Sequence, residues 1–223
     1  MKRLIEGLVR FQREVFPAKQ QLFRRLADGQ NPRALFITCA DSRVVPDLIT
    51  QSAPGDLFIC RNAGNIVPPY GEMNGGVSAT IEYAVMALGI RNIIVCGHSD
   101  CGAMKAVFHP EKVKNLPTVE SWLRHAESAR RVVQENYVGL TEEESVQLLT
   151  KENVVAQLDH LRTHPSVASR IARGELNLYG WVYQIHSGQM TAYDAELGDF
   201  LPLTENSMPD ATPKPRLLMR EVA

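Results

Sequence analysis

Ala34-Leu35-Phe36-Ile37-Thr38-Cys39-Ala40-Asp41-Ser42-Arg43 changes character half-way along. Its first five residues are apolar or β-branched without alternation, the pattern of a strand buried on both faces of a parallel sheet. The last five turn polar and charged, so Cys39 falls at the strand's carboxyl end. Working outward, a short helical piece over residues 46–50 and the turn Pro54-Gly55 lead to a second such run, Leu57-Phe58-Ile59-Cys60. Val77, Ile81, Ala84, Val85 and Leu88 recur at spacings of three and four, which predicts a helix over residues 75–88 ending at Gly89. Ile93-Ile94-Val95 predicts a third strand, after which Gly97 turns the chain toward His98 and Cys101. Strand, helix and strand in alternation predict an α/β fold: a mostly parallel central sheet with helices on both faces and right-handed crossovers. Residues 119–137 and 142–161 carry two long helical patterns. Residues 176–185 and 190–193 flank Ser187-Gly188 and predict an antiparallel hairpin at the sheet edge.

At 223 residues the chain has room for one substantial domain, expected over residues 1–203. Leu4, Leu8, Phe11, Val15 and Leu22 make residues 1–30 an amphipathic helical arm, with Pro17 marking a kink or break. A small domain does not cover such an arm by itself, so a homodimer, or a dimer of dimers, is expected to bury it. From Thr204 the sequence turns polar, with Pro209, Pro213 and Pro215, and residues 204–223 read as a flexible tail. Within that tail Leu217, Leu218 and Met219 form a short apolar cluster that a partner surface could bury.

With 24 Lys+Arg against 25 Asp+Glu and no basic block, nucleic acid is not an expected partner. Charges interrupt every apolar run near the N-terminus, which argues against a signal peptide, and no stretch approaches the roughly 18 apolar residues of a membrane span. Four cysteines are too few for a disulfide scaffold. They are expected as thiols in the cytoplasm, serving as ligands, nucleophiles or core.

Cys60 and Cys96 sit in apolar strands and read as core. Cys39 does not, because a charged turn follows it. His98-Ser99-Asp100-Cys101-Gly102 combines a two-residue chelating gap with a glycine that permits close backbone approach. Carboxyl ends of strands in an open parallel sheet face one crevice, so the fold should gather Cys39, His98 and Cys101. Two thiolates and one imidazole suit zinc, and three protein ligands leave a fourth position for water or substrate.

These residues also carry a resemblance. Cys39-Ala40-Asp41-Ser42-Arg43, Arg61-Asn62-Ala63-Gly64-Asn65 and His98-Ser99-Asp100-Cys101-Gly102 resemble, in order and spacing, the signature of β-class carbonic anhydrases. Within that family the chain is most similar to the enzymes of cyanobacterial carboxysomes. The resemblance implies one Zn2+ per chain on Cys39, His98 and Cys101, and a catalytic dyad of Asp41 and Arg43. Asp41 is also a fourth ligand in the family's closed state. It further implies a substrate pocket at Gln30, Phe58, Tyr83 and Gly102, with Gln30 reaching in from a dimer partner. The reaction implied is reversible hydration of carbon dioxide to bicarbonate and a proton, and a carboxysome scaffold protein joins the expected partners. Some members hold a second, inhibitory bicarbonate with a tryptophan three residues before the first ligand. Phe36 stands there, although Arg61 and Tyr183 match the other positions. Hydrolysis of carbonyl sulfide and a catalytically silent zinc module stay open as rival readings. The Asp41–Arg43 pair counts against the second, because a structural site has no use for it.

Overall fold

A computed structural model of the chain describes residues 1–72 and 75–205. Its strands are β1 (Ala34–Cys39), β2 (Leu57–Asn62), β3 (Asn92–His98), β4 (Asn177–Tyr183), β5 (Met190–Asp194) and β6 (Asp199–Pro202). They form one sheet in the order β2-β1-β3-β4-β5-β6, parallel through β4 and antiparallel beyond it. The helices are α1 (Lys2–Arg10), α2 (Phe16–Ala18), α3 (Gln20–Ala27), α4 (Pro46–Thr50), α5 (Gly76–Glu82), α6 (Gly102–Phe108), α7 (Pro117–Leu123), α8 (Glu127–Asn136), α9 (Glu142–Thr163) and α10 (Pro165–Ala172). None of them is long and apolar enough to cross a membrane.

The strand that opened the sequence reading lies between β2 and β3 and is buried at all six positions. Its residues alternate between two cores, as a pleated strand requires. Leu35 and Ile37 join Ile93, Val95, Leu178 and Val182 under α5, α9 and α10. Ala34 and Phe36 join Ile94 and Cys96 in a smaller cluster with Tyr179, Trp181 and Met190. The long helix α9 starts at a capping box, in which the Thr141 hydroxyl accepts from the Glu144 N–H and the Glu144 carboxylate accepts from the Thr141 N–H. It then approaches the sheet closely. A Cβ on Gly180 would stand 2.9 Å from Val154 Cγ1 and 3.0 Å from Leu158 Cδ1, so the strand leaves that place empty.

Several local expectations change. The helical pattern over residues 119–137 is not one helix: a 3₁₀ turn, Arg124–Ala126, separates α7 from α8. Leu123, Ala126 and Ala129 are all buried at steps of three, and a turn of three residues keeps them on one side where 3.6 would rotate them away. Pro17 does not end the arm's first helix. It lacks the N–H a regular turn needs, and the backbone ahead of it widens into a π turn, Phe11–Val15; the break follows at Lys19. The helix over residues 75–88 likewise widens into a π turn, Tyr83–Ala87, before Gly89 at φ +66°. A further edge strand, β6, lies just before the tail; its four residues are too few to show a period. Residues 206–223 of the expected tail, with Leu217, Leu218 and Met219, lie outside the described residues.

The arm stands out from the sheet with its apolar side uncovered. Leu4 is 70% exposed, and Ile5, Leu8, Phe11, Val15 and Phe16 are exposed as well. Phe11, Phe16 and Phe23 pack on one another, with centroids 5.3 to 6.2 Å apart.

Candidate metal centre

Register builds the site. Thr38 stands opposite Cys96, so β1 ends at Cys39 while its neighbour β3 runs on through Gly97 to His98 at the same edge of the sheet. Asp100 takes a left-handed turn at φ +56°, which brings Cys101 back as the residue that starts α6. The ligand atoms of Cys39, His98 and Cys101 all lie within 4.8 Å of one another, and the two sulfurs are 4.0 Å apart. All three residues are buried.

Their chemistry fits a zinc ion. His98 Nδ1 lies 2.8 Å from the Ser99 carbonyl, which only accepts, so Nδ1 carries the proton and Nε2 presents its lone pair. That Nε2 is fully buried and has no hydrogen-bond partner among the described residues, a costly state that a cation relieves. In the thiol pair, the hydrogen bond between the sulfurs holds Cys39 below and Cys101 above the ordinary thiol range. A divalent cation takes both as thiolates. The other cysteines are different. Burial alone pushes Cys60 up, and it pushes Cys96 up to about 12, so both stay neutral core thiols.

Beside the ligands, Asp41 and Arg43 form a two-pronged pair. Arg43 Nε donates to Asp41 Oδ1 at 3.0 Å and Nη2 to Oδ2 at 2.7 Å, while the Arg43 backbone N–H adds a third bond to Oδ1 at 3.0 Å. These bonds, from the guanidinium above all, hold the Asp41 carboxyl well below the usual range. Asp41 Oδ2 is 3.8 Å from His98 Nε2. Two residues whose positioning role the sequence reading missed secure this arrangement. Asp100 binds the far side of Arg43, accepting from Nη1 at 2.8 Å and, through its carbonyl, from Nη2 at 3.1 Å, and its carboxylate also pairs with Lys105. Arg61 donates to the carbonyls of Cys39, at 3.1 Å, and Asp41, at 2.7 Å, and so braces the turn between them. A charged residue between two metal ligands was the available signal for Asp100; Arg61 stood in the quoted motif Arg61-Asn62-Ala63-Gly64-Asn65, but not in this role.

Of the four pocket positions, only Gly102 adjoins the ligands of its own chain. Phe58 stands opposite Leu35, four register steps from the Cys39–Asn62 pair, or about 13 Å along a strand. Tyr83 is beside it, with ring centroids 6.0 Å apart, and Gln30 precedes the amino end of β1. These three therefore gather at the opposite end of the sheet from the metal ligands. Phe36 is fully buried, edge-on to Trp181 at 6.0 Å, and offers no hydrogen-bonding group where the family's inhibitory site has one.

Known proteins agree with this geometry. Residues 34–190 match the family model described as "Carbonic anhydrase". The carbonic anhydrase of Pseudomonas aeruginosa is 52% identical, over 92% of this chain and 93% of that one. The carbonic anhydrase of Synechocystis is also 52% identical, over 90% of this chain and 74% of that one. The solved structure of the β-carbonic anhydrase CcaA superposes with a TM-score of 0.90 at 50% identity, covering 92% of this chain and 93% of that one. With its two thiolates and imidazole gathered at the ends of adjacent parallel strands, the chain belongs to the β-class carbonic anhydrases, zinc enzymes of the reversible hydration of carbon dioxide.

Proposed function

We propose that Asp41 and Arg43 are the catalytic pair of this carbon dioxide hydration. Zinc bound by Cys39, His98 and Cys101 supplies the acidification that yields a hydroxide nucleophile near neutral pH. Asp41 is ionised throughout the neutral range and only accepts hydrogen bonds. It can therefore hold the nucleophile's hydrogen at Oδ2 and leave a lone pair free for the substrate carbon. The water oxygen joins that carbon, and one proton leaves to solvent. Arg43, gripped by Asp100 on its other side, stops the carboxylate from rotating out of this pose. The observation that carries the assignment is Asp41 Oδ2 at 3.8 Å from His98 Nε2. Asp41→Asn is expected to keep its zinc and lose about 10²- to 10⁴-fold in hydration rate by stopped flow. Near wild-type activity in a variant of confirmed zinc content would remove Asp41 from the mechanism.

Gln30, Phe58 and Tyr83 serve in this reading as the pocket of a second copy's metal centre, with Gly102 supplied by the chain that binds the metal. What supports it is their separation from their own ligands, together with an arm whose apolar side is free to cross to a partner. The cyanobacterial likeness supports a place in the carboxysome, with the tail held by a scaffold protein. The equal identity to a Pseudomonas relative makes that tail the part to test. Truncation after Leu203 is expected to leave hydration kinetics unchanged and to abolish co-purification with shell or scaffold proteins; unchanged co-purification rules out docking through the tail.

A further inference from the structure

The loop that follows β2 touches the metal centre through one backbone group. Gly64 N–H donates to Cys39 Sγ at 3.5 Å. The two peptide units that meet at Gly64 are each held by a side chain from a distant helix. The carbonyl of the unit that carries this N–H is Ala63 O, which accepts from the indole Nε1 of Trp122, on α7, at 2.8 Å. The next unit's carbonyl, Gly64 O, accepts from Asn153 Nδ2, on α9, at 3.0 Å. Asn153 is 0% exposed, and its own Oδ1 accepts from Gln157 Nε2 at 2.9 Å, so its amide cannot swing away. With both planes fixed, the rotation at Gly64, φ +82°, is fixed too. That backbone favours glycine, and a Cβ there would in any case stand 3.1 Å from Ala103 Cβ.

We propose that Trp122 and Asn153 are positioning residues of the metal centre, which act by holding the Gly64 N–H against the Cys39 sulfur. An N–H bond to a thiolate draws charge from the sulfur and fixes its direction, so it tunes both how strongly the sulfur donates to a metal and how easily the metal leaves. Trp122 contributes in two ways. It orients the peptide, and by bonding the carbonyl it polarises the N–H at the other end of the same unit. Both side chains act through hydrogen bonds to backbone carbonyls.

The test uses the full-length protein loaded with zinc or, as a spectroscopic probe, cobalt(II). Trp122→Phe keeps an aromatic ring while it loses the N–H donor and one ring of volume; Asn153→Ala removes the second donor. Each is expected to shift the thiolate-to-cobalt charge-transfer band and to speed removal of zinc by a chelator by about tenfold, within the range typical of groups that support metal ligands. Thr163→Ala is the control. Its hydroxyl accepts from Tyr70 N–H at 2.8 Å, farther along the same loop, so its loss loosens the loop without freeing Gly64. It should leave band and release unchanged. A wild-type band and release rate in Trp122→Phe would overturn the proposal, as would an equal effect in Thr163→Ala. Should Asn153→Ala fail to fold, Trp122→Phe decides the matter alone.

Discussion

All four cysteines are buried, and what stands beside them sorts them into two kinds. Cys60 and Cys96 are pushed up in pKa by desolvation, whereas the sulfurs of Cys39 and Cys101 stand 4.0 Å apart beside His98. Cys39→Ser is accordingly expected to lose zinc, and Cys96→Ser to keep the full equivalent, by metal analysis of purified protein. The reverse pattern would overturn the ligand assignment. The three ligands and the place of the Asp41–Arg43 ion pair beside them were legible in sequence because each falls where an apolar strand gives way to polar residues, a change with no packing reason. The contacts of Arg61, Trp122 and Asn153 were not. They act through backbone carbonyls, and a hydrogen bond to a carbonyl depends on where the fold brings that carbonyl, which no local pattern records.

At the scale of elements, the carboxyl half of α9 is a clamp on the loop after β2. Gln157 accepts from Val67 N–H at 2.8 Å, Thr163 accepts from Tyr70 N–H, and His164 Nε2 donates to Pro68 O at 3.0 Å with its ring against Tyr70. His164 is 2% exposed, and burial lowers its pKa from the ordinary 6.5; burial lowers His125, beside Glu72, as well. A histidine depressed in the fold contributes no pH dependence above 6.5, where folded and unfolded forms are both neutral. Below 6.5 the unfolded chain takes up a proton that the folded one refuses, so stability falls until the depressed value is reached. The loss amounts to about 1.4 kcal/mol per histidine for each unit of depression. The unfolding temperature should therefore fall as pH drops below 6.5, and His164→Asn should flatten the fall; an unchanged slope would acquit His164. The continuous apolar runs of β1 and β3 and the long helical pattern of α9 were readable from the residues alone. The π turn Tyr83–Ala87 and the 3₁₀ break were not, because each adjusts a helix by less than a residue per turn at residues packed into a core, Ala84, Val85 and Ala126; the arm's π turn goes with Pro17 instead.

For the whole molecule, the parallel sheet with its antiparallel edge could be read from the alternation of patterns, while a pocket shared with a dimer partner, through Gln30, entered only as what the family resemblance implies. The metal ligands sit at one end of the sheet, and Gln30, Phe58 and Tyr83 at the other. The arm that bears Leu4, Leu8 and Phe11 remains in water unless a second copy covers it. With the proposed pocket, catalysis becomes a matter of mass action. All three ligands come from one chain, so dilution should not strip the zinc; the proposed pocket draws on another chain, so dilution should empty it. Specific activity is expected to fall as protein concentration passes below the dissociation constant of the pair, and to return on reconcentration, with zinc per chain constant throughout. A specific activity that holds constant while sedimentation shows the copies separating would mean that one chain is a complete enzyme.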